Sequence, residues 1–370
     1  MNIDYDLHGI VGVRLLNATE TEEKMITRQI GPIQTTLDRE PDIIIRFVDK
    51  MPMNGRLRYL GVDEGGFTDD AFLVLRSKHK SKAKVQIPFD QLGTEQIEIV
   101  AERGLTAVPH LIAIVNLTAL SRGALPMHAS AFTYRNQGIL ATGWAKGGKT
   151  ETLLSFMAKG AEHVGDEWIY ISEDGQTMYG IPEPIRIWDW HLQDLPQYWD
   201  LVSASDKARL RGLDMMVQSM EKAAAHSVIG KTKPAKLMQR ATPIVKRQQY
   251  VHLEPHKLFG SSMGPMKGSL DKIFLVASHE PADITVTPIT AEEVAARMVF
   301  SLQDEREELM AHYRSFRFAF PERQNTLIEQ AEEIQRRALN KMLAGKEAYI
   351  VYHPYPVAIP ALYDAMESYV

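Results

Sequence analysis

Gly143, Gly147, Gly148, Lys149 and Thr150 stand in the order G-x-x-x-x-G-K-[ST], inside the run GWAKGGKT. Residues of those types at that spacing can hold a phosphorylated ligand. Glycines let the backbone turn its amide N–H groups inward, close to phosphate oxygens, where a Cβ would block approach. Lys149 would reach the β- and γ-phosphates of a bound nucleotide, and the Thr150 hydroxyl would ligate Mg²⁺. Lys146 places a second cation in the loop, to face either phosphate or solvent.

A phosphate loop needs an acid nearby. Asp166 and Glu167 interrupt the apolar run Glu162–Ile171 (EHVGDEWIYI), where one carboxylate could hold Mg²⁺ and the other accept a proton from an attacking hydroxyl. The plainer reading is a β-turn between two strands. His128 lies in the strand-like stretch Met127–Tyr134, and spacing alone makes it a structural histidine. Arg186, in the Pro- and aromatic-rich segment Gly180–Trp190, is a phosphate or substrate contact, or else one half of a surface ion pair.

These residues need elements to position them. Gln137–Thr142 (QGILAT) alternates like a buried strand, and Glu151–Lys159 (ETLLSFMAK) carries apolar residues at helical spacing, so a strand feeds a tight turn that opens a helix. The helix aims its positive dipole end at the loop. Upstream, Ile10–Leu16, Asp42–Val48, Leu57–Val62, Ala71–Arg76 and Ala83–Pro88 are short apolar or alternating runs between turn signals, which predicts a small sheet domain. Lys78, Lys80, Lys82 and Lys84 alternate as the charged tip of a hairpin would. A helix is expected over Ala107–Arg122. Further strands are expected at Tyr250–Leu253, Lys272–Ala277 and Asp283–Thr287, completing the core sheet, and a helix capped by Thr290 and Glu293 should run to about Tyr313. The tail returns as a strand, Ala348–Tyr352, and a short helix.

Composition sets the outer bounds. A chain of 370 residues with 45% hydrophobic and 24% charged residues is an ordinary globular protein with room for two domains. It contains no cysteine, which excludes disulfides, thiolate nucleophiles and Cys-based zinc sites. The N-terminal residues lack the pattern of a signal peptide, and the most apolar long stretch, Val108–Leu120, is too short to span a bilayer, so a cytoplasmic protein without a membrane partner is expected. A net charge of −5 gives no general reason to expect a nucleic-acid partner. Within this acidic chain, Lys207–Arg247 holds ten Lys or Arg against Asp214 and Glu221. It reads as a helical insertion that could dock an acidic partner, close over phosphates, or simply face water.

The run LPMHASAFTYRNQGILATGWAKGGKTETLLSFMAKGAEHVGDEWIYI resembles the catalytic core of the HPr kinase/phosphorylase family, relatives of phosphoenolpyruvate carboxykinase. That family shows a His-Ala or His-Gly pair on a strand, a loop of the form G-x-S-G-x-G-K-S-E-T, and an acidic pair further on. Here His128-Ala129, Lys149-Thr150-Glu151-Thr152 and Asp166-Glu167 stand in that order, over roughly residues 124–190. The resemblance implies that Lys149 and the loop from Gly143 to Glu151 bind ATP, and that Thr150 with Glu167 and Asp166 places Mg²⁺. Asp166 would be the base and His128 would sit beside the reacting phosphate. Ala145 and Lys146 stand where the family has Ser and Gly, and the second acid is Glu. The family's C-terminal phosphorolysis signature is not found, which points to a divergent kinase.

The resulting expectation is an α/β fold: a β-rich N-terminal domain (1–104), a P-loop HPr-kinase-like core with a mixed sheet (105–300), and C-terminal helices with a terminal strand and helix (301–370). Its function would be transfer of the γ-phosphoryl group of ATP to a hydroxyl, Ser first, of a protein, peptide or small molecule. The family's habit implies a homo-oligomer. The alternative is a nucleotide-binding regulator or partner-gated NTPase with no phosphoacceptor. No N-K-x-D guanine motif follows the loop.

Overall fold

The computed structural model describes residues 2–62, 64–76, 82–94, 96–225 and 241–370. Lys78, Lys80 and the middle of the basic segment, 226–240, lie outside the described residues. Two large sheets organise the molecule. The first runs in the order Gln34–Thr35, Ile3–Leu7, Val11–Leu16, Ile43–Val48, Ile97–Glu102, Lys82–Gln86, Phe72–Arg76, Gly65–Phe67, Arg58–Leu60. Its strands follow from alternation: Ile43, Ile45 and Phe47 point into the core while Ile44, Arg46 and Val48 are half-buried. One helix of this half, Glu20–Ile30, was not expected. Thr19 and Glu22 close a capping box at its start, and Met25, Ile26 and Ile30 are buried against the sheet.

The second sheet is mixed, so the chain is an α/β protein. Gln137–Thr142, Lys272–Ser278 and Glu347–His353 run parallel at its centre. Leu125–Tyr134 and Thr285–Ile289 flank them antiparallel, and Trp168–Ile171, Thr177–Gly180 and Lys267–Ser269 extend the sheet. The glycine-rich loop Gly143–Gly148 therefore leaves the carboxyl end of a parallel central strand, where ligands of open α/β sheets bind. One expected strand lies elsewhere: Tyr250–Leu253 does not join the core sheet but pairs with Ile185–Trp188 in a separate two-stranded ribbon. Val251 and Leu253 pack with Ile185 and Ile187 in a core shared with Leu153 and Leu154. That burial holds the ribbon beside the loop helix.

The helix expected from Ala107 begins at Leu111, because the residue before Pro109 is biased away from helical backbone and His110 adopts a left-handed φ of 60°. A second helix, Ala291–Ala319, connects the halves. Its first turn is capped as expected by Thr290, whose side chain accepts from Glu293 N at 3.1 Å. Val294, Met298 and Leu302 pack in the core of the second sheet, whereas Leu309, Tyr313 and Phe316 pack in the core of the first. At 29 residues, it extends about 43 Å. Among the described residues no helix is long and apolar enough to cross a membrane.

Candidate active site

Geometry, as well as motif, demands the loop glycines. A Cβ on Gly143 would lie 2.3 Å from the Val276 carbonyl oxygen of the neighbouring strand. Gly148 has φ +106°, and its Cβ would meet His353 Nε2 at 2.2 Å. His353 is buried beneath the loop, with Nε2 2.8 Å from Gly147 O. Lys149 opens the helix Lys149–Met157, and its Nζ donates to the Trp144 carbonyl at 2.9 Å. Burial pulls its pKa down against the opposing fields of Glu167 and Asp166. Ser130 ties the first helical turn to the strand beside it, donating to Lys149 O at 2.7 Å.

The acidic pair is both a turn and a charge centre. Asp166 ends the short strand Glu162–Gly165, and Glu167, at φ 66°, reverses into Trp168–Ile171. Ala129 N donates to Glu167 O at 3.1 Å, pinning the turn to the histidine strand. The two carboxylates diverge. Asp166 accepts from the Thr150 hydroxyl at 3.0 Å, while Glu167 Oε2 lies 3.2 Å from His128 Nε2. Burial, then the charge of Glu167, pushes the Asp166 pKa up to about 7, whereas its bond to His128 holds Glu167 below the ordinary carboxylate range.

His128 is enclosed. Its ring stacks on Trp168 with centroids 5.6 Å apart, and Nδ1 meets Glu305 Oε1 in an ion-pair contact at 2.7 Å. Burial disfavours the imidazolium, but Glu167 and Glu305 outweigh it and raise the pKa.

One cleft of about 190 Å³ is lined by His128, Lys146, Gly147, Gly148, Lys149, Thr150, Glu151, Asp166, Glu167 and Arg186. Gly143 lies behind it. Lys146 is exposed at its rim with φ 63°. The Glu151 carboxylate is already engaged by His191 at 3.1 Å, which holds its pKa down despite burial. Arg186 sits on the ribbon with its guanidinium 4.8 Å from the Tyr250 ring centroid, and among the described residues it has no ion-pair partner. Trp188 and Tyr355 also line the cleft, and Glu305 stands behind His128. None of these three carried a motif. Where it is described, the basic segment spends several of its cations on the neighbouring chain: Arg209 donates to the carbonyls of Gln248 and Tyr250, and Lys207 and Arg211 lie over Trp199.

Mg²⁺ is compatible with these groups. Among the described residues no three His, Asp or Glu side chains converge into a self-sufficient metal site. Mg²⁺ does not require one, since one or two carboxylates, substrate phosphates and water complete its octahedron. The Thr150–Asp166 pair, with a buried acid whose charge the nearby Lys149 offsets only in part, suits that role. No family model matches this chain, and no curated protein matches it in sequence.

Proposed function

We propose that the chain is a Mg²⁺-dependent kinase of the HPr-kinase-like type, which transfers the γ-phosphoryl group of ATP to a hydroxyl, serine first. One observation carries the reading. The Thr150 hydroxyl and the Asp166 carboxylate lie 3.0 Å apart at the foot of a phosphate loop, in the same cleft as Lys149 and the His128–Glu167 pair. A simple phosphate-binding loop has no need of a buried Asp166 and of a histidine paired with a second acid, Glu167.

Each side chain then has a task. The loop amides and Lys149 hold the nucleotide phosphates, and Lys149 gives up its bonds to the loop carbonyls to do so. Thr150 and Glu167, with Asp166 beside them, would hold Mg²⁺. When bound, the metal supplies positive charge to the phosphate oxygens. Asp166, whose pKa burial raises in the ligand-free protein, would take the proton from the acceptor hydroxyl. His128 faces the transferring group through Nε2. The oxygen of the hydroxyl attacks phosphorus, the bond to ADP breaks, and the proton passes to Asp166. Catalysis is positioning and charge neutralisation.

The test is label transfer from γ-phosphate-labelled ATP and Mg²⁺ in a host extract, beside Lys149→Ala. Label on a discrete species with the unmodified protein alone supports the kinase and identifies the acceptor class. Label appearing only as inorganic phosphate, with ATP bound, overturns it in favour of a nucleotide-gated switch.

A further inference from the structure

Glu305 carries none of the motifs, does not line the cleft, and still comes within 2.7 Å of the His128 ring. We propose that it is a positioning residue, which sets the orientation of the His128 ring for phosphoryl transfer; this rests on the kinase reading above. Three observations support it.

First, its carboxylate has a specific neighbour. Glu305 Oε1 lies 2.7 Å from His128 Nδ1, and the opposite ring nitrogen lies 3.2 Å from Glu167. The imidazole is thus held at both ends, with Trp168 stacked on one face. A ring so placed cannot swing about its Cβ–Cγ bond without losing one carboxylate.

Second, the helix that bears Glu305 is registered against the loop by other side chains of the same face. Met298, Ser301 and Glu305 recur at the spacing that shares one helical stripe. The Ser301 hydroxyl donates to Gly143 O at 3.3 Å, and the Met298 sulfur lies 3.4 Å from the Thr142 hydroxyl oxygen. That hydroxyl donates its proton to the His128 carbonyl at 3.1 Å. The helix, the start of the phosphate loop and the histidine strand therefore form one unit, and Glu305 is its charged member.

Third, stability alone gives little reason to place a carboxylate there. The Glu305 side chain is 24% exposed, in a helix whose neighbouring turns are packed with Val294, Leu302 and Leu309. Desolvation opposes a charge at such a position unless its partner returns a benefit.

The experiment compares Glu305→Gln, Glu305→Ala and Glu305→Asp with the unmodified protein, using three readouts. With labelled ATP and Mg²⁺ in the same extract, the Gln and Ala variants should lose transfer about 10- to 100-fold. ATP affinity, measured by titration calorimetry, should stay within about twofold, because Glu305 lies outside the cleft. In ¹⁵N-histidine spectra, with His128 assigned through His128→Asn, the His128 ring signals should shift in Glu305→Gln, and Glu305→Asp should restore part of both the signals and the rate. Wild-type transfer by Glu305→Gln overturns the proposal, as does loss of transfer matched by lost ATP binding or lost folded protein. Unchanged His128 signals overturn it independently of any activity. If the unmodified protein itself moves no label, the kinase reading fails and the transfer role of Glu305 fails with it, while the ring signals still report whether Glu305 holds His128.

Discussion

Asp42 in the first sheet and Asp166 in the second are both buried, at 6% and 4% exposure, and their surroundings treat them in opposite ways. Asp42 accepts from Gly12 N at 2.8 Å, from Arg39 at 2.8 Å and from Arg122 at 2.5 Å. Burial works against its charge, yet these donors prevail and its pKa falls. Asp166 has the hydroxyl of Thr150 and, next to it, another carboxylate, and its pKa rises to about 7. Glu183, buried close by, is pushed up by the same burial and by Glu167 and Asp166. In the N-terminal half the fold neutralises its own charges. In the cleft the described residues give Asp166 no ion-pair partner and pair Glu167 only with a histidine, which is the pattern of functional rather than structural ionisable groups.

The most severe way to break this contrast is Asp166→Asn. Turnover should fall by about 10²–10⁴-fold, the range for removing a general base, with ATP binding retained. Full activity would remove Asp166 as the base. The same substitution should also stabilise the ligand-free protein, with a defined pH dependence. The folded-state pKa of about 7 exceeds the ordinary 3.8, so the folded protein binds an extra proton between those values. Stability accordingly declines as pH rises through that window, by up to about 1.4 kcal/mol per pH unit from this group. Asparagine removes the slope. Urea unfolding in EDTA should show the variant more stable than the parent at pH 8, with the gap closing towards pH 4. A gap independent of pH would show that Asp166 is not the strained acid.

Asp42→Asn should do the reverse. Activity should persist in whatever protein remains folded, and stability at neutral pH should fall by about 2–3 kcal/mol, less than for a fully enclosed pair because both arginines reach water. Since the Asp42 pKa is lowered on folding, its contribution is present above the ordinary carboxylate value and lost as pH falls through the folded one. The two proteins should therefore converge in strong acid. Equal stability at pH 7 would mean that the arginines find other partners and that the first sheet does not depend on Asp42.

The cleft was legible to different depths. The loop, its entering strand and the following helix could be read because each has its own local signal: glycines where a Cβ collides, an alternating strand, a helical period. His128 and Asp166-Glu167 could be read only as a set, since each alone has an ordinary structural explanation, and the structure gathers all three at the loop. Glu305 could not be read. It lies mid-helix, far along the chain, and a lone acid on a helix is usually a solvated one. Tyr250–Leu253 was legible as a strand but not in its partner, because pairing with Ile185–Trp188 is decided by where their apolar faces are buried. The helix Glu20–Ile30 is a different case: its start signal, Thr19 with Glu22 three residues on, stood in the sequence, while Met25, Ile26 and Ile30 made too sparse a stripe to draw attention.

The finest test of the contrast uses two arginines with ample contact with water. Arg122, whose side chain is 61% exposed, spends its guanidinium on Asp42 at 2.5 Å. Arg186, also exposed, faces the cleft over Tyr250 with no ion-pair partner among the described residues. Exposure alone would make the two equivalent. The charge each faces makes them different. Arg122→Ala should cost about 1 kcal/mol of stability, the upper range for a water-exposed pair, and leave ligand affinity alone. Arg186→Ala should change stability by less than about 0.5 kcal/mol, as surface substitutions without a specific partner do. It should nevertheless weaken binding of ATP or pyrophosphate by about tenfold, the loss of one charge-assisted contact. Paired urea midpoints and calorimetric titrations separate the two outcomes. If Arg186→Ala destabilises the fold and leaves the titration unchanged, Arg186 belongs with the charges that the fold neutralises, and the open set in the cleft shrinks to the loop, His128 and the acidic pair.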